Sequence, residues 1–130
     1  MTLDLGKFKE TQFQGTIKEV EVMPLEEHLG DRAKAFREKM RVPDRMKKEK
    51  KAIQDEYLDA RLKADVLVVT YDIDGVARQE FVNIPMRSGY PKSTLKKVID
   101  KNGLPFDHKL WKGLIVWCQL DANGYYELSK

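Results

Sequence analysis

Residues 110 to 120 read Leu-Trp-Lys-Gly-Leu-Ile-Val-Trp-Cys-Gln-Leu and are the most apolar run in the chain. Their length and their content of Ile, Val and Trp favour a β-strand over a buried helix. Alternate side chains of a strand point to opposite faces. One face is predicted to be wholly apolar and to face the core: Leu110, Leu114, Val116, Cys118 and Leu120. The other carries two tryptophans, Trp111 and Trp117, and must be covered by protein, by a partner or by a ligand.

Composition limits the classes of protein that fit. The chain has 130 residues, which suits a single domain spanning residues 1–130. One cysteine excludes an internal disulfide, and two histidines argue against a structural zinc site. The sequence shows no signal peptide and no run of membrane-spanning length, so a cytoplasmic protein without membrane contact is expected.

Positive charge is concentrated in one segment. Between Arg32 and Lys51 there are ten basic and three acidic residues, which gives this segment a formal charge of +7. The whole chain carries +3, so the rest carries −4. Attraction for a polyanion is therefore predicted to come from this segment.

A helical arm is predicted between Glu26 and Lys63, because the segment is rich in Ala, Glu, Lys, Arg and Met. Pro43 should divide it into two helices, with Asp31 and Asp44 as their N-caps. Residues near Arg45 to Lys51 are expected to be the more mobile part of the arm.

The segments flanking the arm read as strands. Phe8 to Met23 has an alternating pattern that changes phase near Lys18 and Glu19, which indicates a β-bulge. Ala64 to Ile73 and Val76 to Ile84 are predicted to form a hairpin around the Asp74-Gly75 turn.

The C-terminal part continues with a short helix and two strands. Ser93 or Thr94 should cap the helix, and Asn102-Gly103 should end it. After the strand at 110–120, Asn123-Gly124 is predicted to turn the chain into a last strand, Tyr125 to Leu128. A bent first strand, a meander, a helix and a final hairpin is the order of an OB-fold, a five-stranded Greek-key β-barrel. The expected class is mainly β, with the helical hairpin inserted between strands 1 and 2.

The second half also resembles a known family. Residues 91–104 (Pro-Lys-Ser-Thr-Leu-Lys-Lys-Val-Ile-Asp-Lys-Asn-Gly-Leu), with the runs at 110–117 and 123–126, are similar to the C-terminal half of phage-type and archaeal OB-fold single-stranded DNA-binding proteins. The resemblance covers roughly residues 64–128 and leaves out the arm. It implies a barrel that binds single strands in replication or recombination.

The candidate nucleic-acid-binding residues are basic side chains and the two tryptophans: Lys47, Lys48, Lys50, Lys51, Arg78, Arg87, Lys92, Trp111, Lys112 and Trp117. Basic side chains neutralise phosphates, and aromatic rings stack on bases. The plainer interpretations are a solvated helix face for the lysine run and a covered interface for the tryptophans.

These features predict a binding protein rather than an enzyme. No phosphate-binding glycine loop, metal-ligand cluster or nucleophile motif occurs in the sequence, and no cofactor is expected. The predicted partner is single-stranded DNA, bound without strong sequence preference, although the residues do not distinguish DNA from RNA. The alternative is a protein–protein module that self-associates, as a homodimer through the arm, and uses the Trp111/Trp117 face as an interface.

Overall fold

The computed structural model of this chain describes residues 12–39 and 48–130, and for residues 48–53 it describes the backbone alone. These residues form two compact units. The barrel unit contains residues 12–21 and 67–130, and the helical unit contains the described residues between Val22 and Val66.

Five strands, four α-helices and two 3₁₀ helices make up the described chain. In order they are β1 (Gln12–Pro24), α1 (Leu25–Leu29), α2 (Arg32–Lys39), α3 (Lys48–Lys63), β2 (Asp65–Ile73), β3 (Val76–Asn83), the first 3₁₀ helix (Arg87–Lys92), α4 (Thr94–Asn102), the second 3₁₀ helix (His108–Leu110), β4 (Ile115–Leu120) and β5 (Tyr126–Leu128).

The strands form one antiparallel sheet in the order β3-β2-β1-β4-β5. In β1 and β4, Gln12 lies opposite Gln119 and Thr16 lies opposite Ile115. The edge strands β3 and β5 contact each other, so the sheet curls into a nearly closed barrel. The expected mainly β architecture is confirmed at this level.

The barrel core is built from the inward side chains of the strands, from α4 and from the connection between α4 and β4. Its buried residues are Ile17, Leu67, Val69, Tyr71, Ile73, Val98, Ile99, Leu104, Trp111, Val116, Cys118 and Leu128. Gly15 lets β1 and β2 approach closely, because a Cβ atom there would lie 3.0 Å from Cγ1 of Ile73.

Local turn and cap chemistry gives the elements that the sequence predicts. Asp74 and Gly75 both have positive φ, 49° and 80°, as a tight hairpin between β2 and β3 requires. The Ser93 hydroxyl accepts a hydrogen bond from the Lys96 N–H and caps α4. Gly103 ends that helix in the left-handed conformation. The hairpin and the helix are therefore confirmed.

The predicted strand at 110–120 is shorter than expected. β4 begins only at Ile115, because Gly113 takes a φ of 87° and the Leu114 N–H bonds back to the Trp111 carbonyl in a turn. Val116 and Cys118 are buried as predicted, whereas Leu110, Leu114 and Leu120 are exposed. The prediction of one apolar face along the whole run is wrong, since alternation holds only inside a strand.

The first strand changes phase where the sequence indicates. Gly15 and Ile17 are buried, Lys18 and Glu19 are both exposed, and Val20 is again partly covered. Two successive exposed residues displace the alternation by one position within β1, which runs without interruption from Gln12 to Pro24.

In the helical unit, α1 contacts both α2 and α3. Three leucines are buried: Leu25, Leu58 and Leu62. Arg37 and Asp59 form an ion pair between α2 and α3. The predicted break at Pro43, the Asp44 cap and Lys47 lie outside the described residues, as do the side chains of Lys48, Lys50 and Lys51. Within the described part of the chain, no helix has the length and apolar character to cross a membrane.

Candidate nucleic-acid interface

Two side chains of β3 close the barrel against β5. The Arg78 Nε–H donates to the Tyr126 carbonyl at 3.0 Å, and the Leu128 N–H donates to the Glu80 carboxylate at 2.7 Å. Residues two apart on β3 thus supply a donor and an acceptor to residues two apart on β5. Side chains here replace the backbone ladder that two paired strands would form.

Glu80 lies at the centre of this seam. The Tyr71 hydroxyl also donates to its carboxylate. Burial raises the pKa of Glu80 above its ordinary value of 4.5, although the bonds from Tyr71 and Leu128 oppose that shift. Burial and the hydrogen bond to Glu80 raise the pKa of Tyr71 as well. The Glu80 carboxyl and the Tyr71 hydroxyl therefore have a structural role, because their hydrogen bonds join β2, β3 and β5.

Arg78 also contacts the β4–β5 turn. Its guanidinium lies over the ring of Tyr125, 5.5 Å from the ring centre, and this ring is 60% exposed. The turn is held by the Asp121 carboxylate, which accepts from the N–H groups of Asn123 and Tyr125 at 2.8 and 2.9 Å. Arg78 therefore fixes β5 and supports an exposed ring.

Trp117 lies on the outer face of β4, opposite Gln14 of β1, and is 39% exposed. Its backbone N–H donates to the Asn102 side-chain oxygen at 2.6 Å, and its carbonyl accepts from the Ser129 N–H at 2.9 Å. Both backbone groups of Trp117 are therefore hydrogen-bonded, which fixes the position of the residue that bears the ring.

Trp111 does not share that face. It follows the second 3₁₀ helix, is 1% exposed, and donates its indole N–H to the Pro105 carbonyl at 2.7 Å. The expectation of a Trp111/Trp117 surface is corrected: one ring belongs to the core and the other to the surface. A buried indole with its donor paired has no face to offer a base.

The connection from β3 to β4, residues 84–114, holds the positive charge of the barrel unit, and we name it the β3–β4 cap. It contains seven basic residues (Arg87, Lys92, Lys96, Lys97, Lys101, Lys109 and Lys112) and two acidic ones (Asp100 and Asp107). The rest of the described barrel unit contains three basic and seven acidic residues. The net charge of −4 outside Arg32–Lys51 therefore conceals a basic segment, because the charges of the barrel unit are segregated along the chain.

Three of the predicted basic contact residues lie in this cap. Arg87 and Lys92 are exposed at the two ends of the first 3₁₀ helix, and Lys112 is exposed just before β4. Arg78 lies apart from them at the β3–β5 seam. The sequence interpretation missed the exposed Lys97, Lys101 and Lys109, whose signal was the local excess of lysine between residues 92 and 112.

A pair of aromatic rings lies in the same cap. Tyr90 and Phe106 meet edge to face, with ring centres 5.5 Å apart and planes at 73°. Tyr90 is partly buried, and Phe106 is 77% exposed. Neither residue is apparent as a site from the sequence, because each is a single aromatic in an irregular segment. The fold brings them together.

Cys118 is a buried free thiol, as the sequence predicts. Burial raises its pKa to about 12, with the nearby Glu80 charge adding to the shift. A thiol that stays protonated at neutral pH is a poor nucleophile. Across residues 12–39 and 48–130, no group of three or more His, Cys, Asp or Glu side chains is placed to hold a metal ion.

Comparison with protein-family models, with curated proteins and with solved structures finds no match to this chain. The functional argument therefore depends on the chain's own residues and their arrangement.

Proposed function

We propose that this protein binds single-stranded nucleic acid, with DNA as the expected form, through an OB-fold barrel and without strong sequence preference, in replication or recombination. Five antiparallel strands in a nearly closed barrel, with a helix between β3 and β4, support the OB-fold assignment. OB-folds serve many functions, so the fold alone does not carry the proposal.

The observation that carries it is the segregation of charge within the barrel unit. Seven of the ten basic side chains in the described part of that unit lie in the β3–β4 cap, and six of these seven are exposed. An excess of exposed cations within one segment attracts a phosphate backbone and releases its counterions. The exposed rings of Phe106, Tyr125 and Trp117 provide flat surfaces for unpaired bases.

The basic arm segment is a second source of attraction in this proposal. Lys47, Lys48, Lys50 and Lys51 remain candidates from the sequence. The barrel unit has a positively charged segment without these lysines, since the cap alone has five more basic than acidic residues. We therefore assign the first contact to the cap and additional affinity to the arm.

A titration of labelled oligo(dT) and of duplex DNA, followed by fluorescence anisotropy at two salt concentrations, tests the function. With about five phosphate contacts, single-strand affinity should fall about 100-fold between about 50 and 200 mM salt. Oligo(rU) in the same series distinguishes DNA from RNA. Equal affinity for duplex and single strand, or no measurable binding at low salt, would overturn the proposal.

A second candidate function is protein–protein association, and one observation favours it. Leu114, Ile115 and Trp117 form an exposed apolar patch at the start of β4. Such patches mark interfaces when they are large. Sedimentation at increasing protein concentration separates the two functions, because association through this patch should persist at high salt, whereas binding to nucleic acid should not.

A further inference from the structure

Phe106 is an exposed ring on a fixed backbone. Its neighbours Leu104 and Pro105 are anchored, the first by burial in the core and the second by the bond from the Trp111 indole to its carbonyl. On the other side, the Asp107 carboxylate accepts from the Lys109 N–H at 3.0 Å and caps the second 3₁₀ helix. The ring is therefore held in place without being covered.

The supporting ring, Tyr90, is fixed in a similar way. The Ser93 hydroxyl donates to the Tyr90 carbonyl at 2.7 Å, and the Ser93 N–H donates to the same oxygen at 3.0 Å. Tyr90 meets Phe106 edge to face, so the ring of Tyr90 limits rotation of its neighbour. An aromatic that is already ordered loses little entropy when a ligand stacks on it.

Cations flank this pair along the chain. In a 3₁₀ helix, residues three apart lie on the same side, which places Arg87 and Tyr90 on one side of the first 3₁₀ helix. Lys92 follows two residues after Tyr90, and Lys109 follows three residues after Phe106. An exposed ring with exposed cations close to it along the chain suits a ligand that has flat bases and a charged backbone.

We propose that Phe106, supported by Tyr90, is the base-stacking residue of the β3–β4 cap, and that Arg87, Lys92 and Lys109 contact the adjoining phosphates. This inference depends on the proposed single-strand binding and deepens it by naming the stacking residue. It moves the stacking role from Trp111, which is buried, to a ring that the sequence interpretation did not single out. The ligand is a single strand with bases, not a polyanion in general.

The test compares Phe106→Ala with Met86→Ala, a control that removes another exposed apolar side chain, 80% exposed, from the same cap. Each variant is titrated with oligo(dT) of about 15 nucleotides, a length within the usual OB-fold site size, and with an abasic deoxyribose-phosphate strand of equal length. Phe106→Ala should weaken oligo(dT) binding about 5- to 150-fold and leave abasic-strand binding unchanged. Met86→Ala should bind both strands as the parent does.

The outcomes separate the two proposals. If the parent binds no single strand, the proposed function fails and this inference fails with it. If the parent binds and Phe106→Ala binds oligo(dT) equally well, only the stacking assignment is overturned. Equal weakening for oligo(dT) and the abasic strand would also overturn it, because the ring would then support the structure of the cap and would not stack on bases. Thermal unfolding of each variant verifies that it is folded.

Discussion

Glu80 in β3 accepts a hydrogen bond from the backbone N–H of Leu128 in β5, at 2.7 Å. This bond, together with the one from Arg78 to Tyr126, joins the two edge strands that would otherwise leave the sheet open. An unpaired edge is a site for unwanted strand addition. The seam therefore contributes to barrel closure and protects the edge, and a partly buried carboxyl lies within it.

The first prediction concerns Glu80→Gln and pH. The raised pKa means that folded Glu80 holds its proton more tightly than the unfolded chain does, so its contribution to stability is fully present below about pH 4.5. That contribution is lost as pH rises through the folded pKa. Urea unfolding of both proteins at a series of pH values should show the difference in unfolding free energy moving in favour of Glu80→Gln as pH rises. If the unfolding free energies of the two proteins keep a constant difference at all pH values, the raised pKa of Glu80 is contradicted.

The second prediction concerns Gly15→Ala. The new Cβ would lie 3.0 Å from Cγ1 of Ile73 and 3.3 Å from the Asp72 carbonyl, so the Ile73 side chain and the backbone of β2 must shift by a few tenths of an ångström. We expect a loss of about 1–3 kcal/mol in unfolding free energy. Gly89→Ala is the matched control, because its nearest neighbour, Cβ of Pro85, is 4.0 Å away. Its effect should stay within about 0.5 kcal/mol. Equal effects at both positions would show that the steric argument is wrong.

The third prediction concerns Trp111→Phe. The change removes the indole N–H and leaves the Pro105 carbonyl without its 2.7 Å partner. We expect it to cost about 1–3 kcal/mol, measured by urea unfolding followed by circular dichroism. Trp117→Phe, at a partly exposed ring, should cost less than about 0.5 kcal/mol. A larger loss of unfolding free energy for Trp117→Phe than for Trp111→Phe would contradict the assignment of Trp111 to the core.

The two tryptophans also show where sequence reasoning succeeds and fails. The Asp74-Gly75 hairpin and the Ser93–Gly103 limits of α4 follow from local chemistry, and a sequence contains that chemistry. The different positions of Trp111 and Trp117 follow from the turn at Gly113 and Leu114 that precedes β4, and alternation does not reveal such a turn.

The β3–β5 seam and the contact of Phe106 with Tyr90 are non-local, and no spacing rule connects their residues. The charge of the cap, in contrast, is present in the sequence. It is obscured there because the denser lysine run of the arm dominates the charge balance, and the net charge of the remaining residues averages the basic cap with the acidic strands.

The central claim is that the barrel binds single strands through the basic β3–β4 cap. Its most direct test is the salt dependence of oligo(dT) binding for the parent and for two fourfold Lys→Glu variants. The cap variant changes Lys97, Lys101, Lys109 and Lys112, and the arm variant changes Lys47, Lys48, Lys50 and Lys51. The log–log slope should flatten by about 0.7 for every phosphate that the variant no longer neutralises. We predict weaker binding and a flatter slope for the cap variant, with a smaller change for the arm variant. A cap variant that keeps the parent's affinity and slope at low salt would contradict the account.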